Sequence, residues 1–260
     1  MPYADLSQTR LYYVIDGPES APVVVLSNSL GTSADMWARQ IPALTQHFRV
    51  LRYDTRGHGA SSVPEGEYTF DQLSGDVVEL LNTLDIPRAH FCGLSMGGTT
   101  GLALALAHPD RVGKLVLCNT GARLGTEASW QTRIDTVRQT GLTNMATGIV
   151  DRWLTPAFRT REPGLTQVLI DILRRTNDTG YIANCAALRD ADLRARMSEI
   201  VAPTLVIAGT HDVAATPAEG QAIHQAIAGS AYVEFDVSHL SNWEAADDFN
   251  RAVVEFLLKE

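Results

Sequence analysis

The segment that most constrains this chain is Gly93-Leu94-Ser95-Met96-Gly97. It follows the apolar run Ala89–Cys92 and leads into Gly97–Ala107, a stretch rich in Ala and Leu that stops before Pro109. A serine between a strand and a helix, with glycine two residues before and after it, is the pattern of a strained turn. Such a turn pushes a hydroxyl out at the carboxyl end of a sheet. The glycines are needed because side chains at those positions would hold strand and helix apart.

The rest of the sequence supplies the sheet that this turn requires. Apolar runs of strand length recur at Leu11–Ile15, Val23–Leu26, Val50–Tyr53, Lys114–Cys118, Thr204–Ala208 and Tyr232–Phe235. Several are continuous rather than alternating, as expected for strands covered on both faces. Helical stretches lie between them: Phe70–Leu84 behind a Thr69/Gln72 capping box, Pro217–Ile227 ending before Gly229, and Asn242–Leu258 behind Ser241 with Glu244 at the third position. This alternation predicts an α/β chain with a mostly parallel, doubly wound sheet. It fails between about 122 and 196, where Leu142, Met145, Ile149, Trp153, Leu165, Leu169 and Ile172 recur at helical spacing. The reading is therefore a core of residues 1–121 and 197–260, carrying an inserted helical cap over 122–196.

Charge and composition narrow the partners. With 21 Lys and Arg against 30 Asp and Glu, the 260-residue chain carries −9 and has no basic run to attract a phosphate backbone, so nucleic acid is not an expected partner. The N-terminus lacks a basic and then apolar leader, and the longest apolar stretches, such as Leu102–Ala107, are far below the roughly 20 residues that span a bilayer. No membrane association is expected. Cys92, Cys118 and Cys185 are too few and too scattered for a disulfide framework, and the first two sit in strand-like runs as small buried hydrophobes. The expectation is a cytoplasmic protein, for which a cap face and a sheet edge each offer a homo-oligomer interface.

A serine hydroxyl needs a base, and the base needs an orienting acid. In a fold of this kind the chain order is Ser, then Asp or Glu, then His. Of the seven histidines, only His224 and His239 lie late enough. His224 falls mid-helix, on an expected solvated face, whereas His239 follows the strand Tyr232–Phe235 and is assigned the general base. Asp212, ending Thr204–Ala208 through Gly209-Thr210-His211, is the favoured acid, with Asp236 competing from three residues before His239. Oxyanion donors are expected from the Met96 N–H and from the loop Ser27-Asn28-Ser29-Leu30-Gly31, where the Leu30 N–H is nominated and Asn28 and Ser29 read as donors or as loop ties. His58, in the turn Arg56-Gly57-His58-Gly59, has no second ligand at helical spacing. No paired Cys, His-Glu-x-x-His or phosphate-loop pattern occurs, so neither metal nor cofactor is expected.

Taken together, these loops, with Tyr53-Asp54-Thr55-Arg56-Gly57-His58-Gly59-Ala60-Ser61, Gly93–Gly98 and Gly209–Asp212, resemble the α/β-hydrolase superfamily over nearly the whole chain. The ending Ser238-His239-Leu240-Ser241-Asn242-Trp243-Glu244 is similar to the 3-oxoadipate enol-lactonases of bacterial aromatic-acid degradation. The chain departs from many relatives in having Asn28-Ser29 where they begin the oxyanion loop with His-Gly. The resemblance implies Ser95 as nucleophile, Asp212 as acid, His239 as base, and hydrolysis of an enol-lactone to 3-oxoadipate. A general carboxylesterase, a cofactor-free haloperoxidase-like perhydrolase and, least favoured, a ligand-sensing protein would use the same fold.

Such a lactone is a small anion, and the charge distribution bears on it. Residues 123–196 hold eleven Arg and no Lys against eight acids, a balance of +3 that leaves the rest of the chain at −12. An acidic enzyme that binds an anion must supply local positive charge. Arg133 is the expected carboxylate partner, with Trp130 and Trp153 as apolar walls of the pocket.

Overall fold

The computed structural model describes residues 2–259. Eight strands form one sheet in the order β1-β2-β4-β3-β5-β6-β7-β8. They are β1 (Tyr3–Asp5), β2 (Arg10–Asp16), β3 (Val23–Ser27), β4 (Arg49–Tyr53), β5 (Ala89–Leu94), β6 (Val112–Cys118), β7 (Thr204–Gly209) and β8 (Ala231–Phe235). Only β1 and β2 run antiparallel to their neighbours; every other pairing is parallel. The chain has the mostly parallel α/β sheet expected from its sequence pattern. The three-residue β1 was missed because a segment that short carries no periodic signal.

The continuous apolar runs are explained by burial on both faces of the sheet. Along β3, Val24 and Leu26 enter one core cluster while Val25 enters the other. Along β6, Val116 and Cys118 face one cluster, and Leu115 and Leu117 face the other. Each such side chain contributes roughly 1.5–3 kcal/mol by leaving water. The helices that cover the faces are α1 (Ile41–Leu44), α2 (Phe70–Thr83) and α3 (Met96–Ala107) early in the chain. Five more, α4 (Glu127–Thr140), α5 (Leu142–Trp153), α6 (Pro156–Arg161), α7 (Pro163–Arg175) and α8 (Asp178–Asp190), separate β6 from β7, and α9 (Pro217–Ala226), α10 (Ser241–Glu244) and α11 (Ala246–Leu258) complete the chain. The capping box on α2 forms as its spacing predicts, with Thr69 Oγ1 accepting from the Gln72 N–H and Gln72 Oε1 from the Thr69 N–H.

Two local expectations are corrected. The last helix is not continuous from 242 to 258: the backbone leaves helical geometry at Ala245, which separates α10 from α11. Ser241 and Glu244 do not cap it, because both have stronger tertiary partners, described below. His224 is only partly solvated: it is half-buried, stacked on Tyr232, with Nδ1 2.9 Å from Ser230 Oγ.

Candidate active site

Ser95 sits between β5 and α3 with φ +57° and ψ −118°. A non-glycine residue in that conformation costs of order 1–3 kcal/mol and persists only where its surroundings enforce it. Here they do. The Ser95 N–H donates to the Cys118 carbonyl at 2.9 Å, and Thr120 Oγ1 donates to the Ser95 carbonyl at 2.7 Å, tying the turn to the end of β6. A Cβ on Gly93 would lie 2.1 Å from the Gly97 carbonyl oxygen, and one on Gly97 would lie 2.2 Å from that of Ser27. Glycine at both positions is thus a condition for α3 to start where it does.

His239 lies on the loop after β8, buried, with Nδ1 2.8 Å from Asp212 Oδ2. Asp212 follows β7, and its Oδ1 accepts the N–H groups of Ala214 and Ala215 at 2.8 and 2.9 Å. Burial pushes its carboxyl up, but the charge and hydrogen bond of His239 and the two backbone donors outweigh that and hold it below its ordinary value. Asp236, the competing acid, is elsewhere: it is almost fully exposed and takes His211 Nε2 at 2.7 Å. With Nδ1 engaged by Asp212, the nitrogen left for proton transfer is Nε2. Ser95 and His239 line the same cavity without a hydrogen bond between them.

The backbone N–H groups of the loop after β3, the expected source of an oxyanion donor, are mostly engaged. The Ser29 N–H points to Met36 Sδ at 3.3 Å, the Gly31 N–H to His58 Nε2 at 2.8 Å and the Thr32 N–H to the Ser29 carbonyl at 3.1 Å. The Leu30 N–H has no acceptor among the described residues, and the Met96 N–H, at the first position of α3, has none within its helix. Both residues are buried beside Ser95. Asn28 is a tie rather than a donor to the cavity, since Nδ2 bonds the Tyr53 carbonyl at 2.8 Å and Oδ1 accepts from Trp37 Nε1 at 3.0 Å. No group of three His, Cys, Asp or Glu side chains among the described residues converges as a metal site.

Helices α4 and α5 and the start of α8 close the cavity with Trp130, Arg133, Ile149, Arg152, Trp153 and Tyr181. Of the eleven arginines between 123 and 196, eight lie within ion-pair distance of an acid. The three with no such acid among the described residues are Arg133, Arg152 and Arg175, and the first two line this cavity. Arg133 is half-buried, donates to Tyr181 Oη at 3.0 Å and lies over the Trp130 ring at 5.9 Å. Burial raises the Tyr181 phenol above its ordinary value, so Tyr181 remains a neutral acceptor and the guanidinium charge of Arg133 is not cancelled. Trp153 is buried, its ring 6.4 Å from that of His239. Its carbonyl accepts the N–H groups of both His239 and Leu240, at 3.0 and 3.1 Å.

Several site residues escaped sequence reasoning. Arg152 offered only the signal of an arginine beside Trp153. Asn119, at φ +46°, donates Nδ2 to Asp212 Oδ2 at 3.1 Å and to the Ser238 carbonyl at 3.2 Å, while Ser241 Oγ donates to its Oδ1 at 2.6 Å. Glu244 accepts the Ser238 N–H at 2.8 Å with one carboxylate oxygen and the Thr155 N–H at 3.0 Å with the other, joining the histidine loop to the end of α5. The Ser241-Asn242-Trp243-Glu244 motif therefore works as scaffold. Asn242 Nδ2 and Trp243 Nε1 both donate to the Met36 carbonyl, at 3.0 and 2.8 Å.

Comparison with known proteins places the chain in a family. Residues 22–246 match the family model of the alpha/beta hydrolase fold. A 3-oxoadipate enol-lactonase (number 2) of Acinetobacter baylyi is 43% identical over 94% of this chain and 91% of its own length, and enol-lactonase 1 of that organism is 40% identical over 90% and 88%. The crystal structure of the enol-lactonase from Burkholderia xenovorans LB400 is 52% identical, with a TM-score of 0.98 over 99% of this chain and 100% of that one.

Proposed function

The chain belongs to the α/β-hydrolase fold family, and from that premise we propose that it hydrolyses 3-oxoadipate enol-lactone to 3-oxoadipate. The observation that carries this reading is the uncancelled charge of Arg133 in the cavity that also holds Ser95 and His239. An ester hydrolase for neutral substrates gains nothing from a half-buried guanidinium without a counter-charge; one for an anionic lactone gains a charge-assisted contact. The high identity to enol-lactonases over nearly the full chain supports the same substrate.

In this mechanism Ser95 Oγ attacks the lactone carbonyl as His239 Nε2 takes its proton, and Asp212 stabilises the imidazolium that results. The Leu30 and Met96 N–H groups receive the oxyanion. Collapse of the tetrahedral intermediate breaks the ring C–O bond and gives an acyl-enzyme whose leaving group remains attached as an enol, protonated by His239. Tautomerisation to the ketone removes that oxygen as a nucleophile, so ring closure is disfavoured. Water deprotonated by His239 then attacks the acyl carbon and releases the diacid and Ser95. Arg133 holds the free carboxylate, and Trp130 and Trp153 provide the apolar walls. The product places the enzyme in the β-ketoadipate route of bacterial aromatic-acid degradation.

The test is steady-state hydrolysis of 3-oxoadipate enol-lactone beside a neutral ester of similar size, with Ser95→Ala as control. A kcat/KM for the lactone higher by several orders of magnitude, lost in Ser95→Ala, is the expected result. Equal or better turnover of the neutral ester would return the substrate to that of a general carboxylesterase.

A further inference from the structure

The Arg56-Gly57-His58-Gly59 turn has no part in the chemistry above, yet it holds a fully buried histidine. His58 Nε2 accepts the Gly31 N–H at 2.8 Å, one residue beyond the Leu30 N–H. Its other ring nitrogen, Nδ1, faces the Arg56 carbonyl at 3.4 Å and Asn184 Nδ2 at 3.4 Å. An imidazole that accepts at Nε2 is neutral and carries its proton on Nδ1, where the Arg56 carbonyl lies. Burial favours that neutral form and lowers the pKa to about 4.

The surroundings of this ring connect two parts of the molecule. Asn184 belongs to α8, and its Nδ2 donates to the Arg56 carbonyl at 2.9 Å and the Gly180 carbonyl at 2.8 Å. Gly57 and Gly180 meet backbone to backbone: a Cβ on Gly180 would lie 2.2 Å from the Gly57 carbonyl oxygen. Arg56 is fixed from the opposite side by its paired contacts to buried Asp76, Nε–Oδ2 at 2.6 Å and Nη2–Oδ1 at 2.5 Å. Gly31 is gripped at both ends, because its carbonyl accepts Thr176 Oγ1 at 3.0 Å from the residue after α7. The oxyanion loop thus takes its position from His58 on one side and from the helices between β6 and β7 on the other.

We propose that His58 is a positioning residue, fixing the Gly31 peptide and transmitting the seating of α8 to the oxyanion loop so that the Leu30 N–H points at the reacting carbonyl. The proposal rests on the reading of Leu30 as an oxyanion donor. It does not rest on the choice of substrate, since any ester carbonyl attacked by Ser95 uses the same donors.

The experiment compares His58→Leu, which removes the acceptor, with His58→Gln, whose Oε1 reaches about as far as Nε2 and accepts. Complete loss of an oxyanion donor costs about 100- to 1,000-fold in kcat, so a misaligned one is expected to cost about 10- to 100-fold. His58→Leu should lose that much kcat with KM changed less than about threefold, on both lactone and neutral ester, and His58→Gln should recover most of it. His58→Asn, polar but too short to reach Gly31, should match the Leu variant and serves if the latter does not fold. A wrong lactone assignment leaves the neutral-ester arm intact and is thereby distinguished. Unchanged kcat in the Leu or Asn variant, equal loss in Gln, or a rise in KM in place of a fall in kcat would overturn the proposal.

Discussion

Replacing Asn119 by glycine isolates the contribution of the amide that supports Asp212. Glycine tolerates the φ of +46° at this position, so the substitution removes the side chain without imposing backbone strain. Asp212 Oδ2 loses its 3.1 Å donor, and Ser241 Oγ loses the acceptor at 2.6 Å that orients the amide. A hydrogen bond to a charged group contributes about 1.5–3 kcal/mol, and the site is too buried for bulk water to replace it freely. If about 1.4 kcal/mol of this is expressed in the transition state, where the carboxylate faces imidazolium, kcat/KM falls about tenfold. Stability changes as well. The Asp212 carboxyl is held below its ordinary value, so its stabilising contribution is full above the ordinary carboxylate range and is lost as pH falls through the depressed folded value. If loss of the Asn119 donor lessens that depression, the contribution is smaller and its loss is complete at a higher pH, while the onset, set by the unfolded carboxyl, is unchanged. The assays are neutral-ester kinetics and denaturant unfolding followed from neutral to acidic pH. Asn119→Ala should match the glycine variant in kcat while losing roughly a further 1 kcal/mol of stability to its left-handed backbone. A glycine variant with kcat/KM within twofold of the parent and the same acid unfolding profile would refute the reasoning.

Arg133→Gln should raise KM for the anionic lactone about 10- to 100-fold, the equivalent of one lost charge-assisted contact, and leave neutral-ester kinetics nearly unchanged. An equal effect on both substrates in steady-state assays would make Arg133 a packing residue. Gly180→Ala should lower the thermal midpoint measurably, because its Cβ falls 2.2 Å from the Gly57 oxygen and overpacking of this kind costs about 1–3 kcal/mol. An unchanged Tm in calorimetry would show that α8 can shift freely. Between its ordinary 6.5 and its folded value of about 4, His58 is protonated in the unfolded chain but not in the native one. Its contribution to stability is complete above 6.5 and declines toward pH 4 by roughly 3 kcal/mol, a slope that His58→Gln should remove from the unfolding profile.

The residues assigned to the chemistry were legible because each stands at a local break in pattern. Ser95 interrupts a strand-to-helix run, Asp212 ends a buried strand, and His239 follows the last one. Their support was not legible, because its partners are distant in the chain. Asn119 lies 93 residues from Asp212 and 122 from Ser241, and His58 lies 27 from Gly31. Glu244 shows how local reading misleads: its spacing from Ser241 suits a capping box, but the Ser238 and Thr155 N–H groups are better placed to use its carboxylate. The arginines show a different limit. Counting charges located the excess in residues 123–196, from which Arg133 was nominated, yet only the ion-pair geometry separates paired arginines from those without a paired acid among the described residues and so reveals Arg152.

The carbonyl of Trp153 carries a consequence for how this scaffold can diversify. It receives the backbone N–H groups of His239 and Leu240, so a residue that lines the cavity also seats the proposed base. An exchange of the whole 142–153 helix for that of a relative, or an insertion that displaces its last turn, would disturb proton transfer at the same moment that it reshaped specificity. New substrates are therefore reached more readily by single side-chain changes on a fixed helix than by transplanting segments. Libraries that vary Trp130, Ile149 and Arg152 in place, with the backbone at 153 left alone, should retain far more active clones than chimaeras joined within that helix.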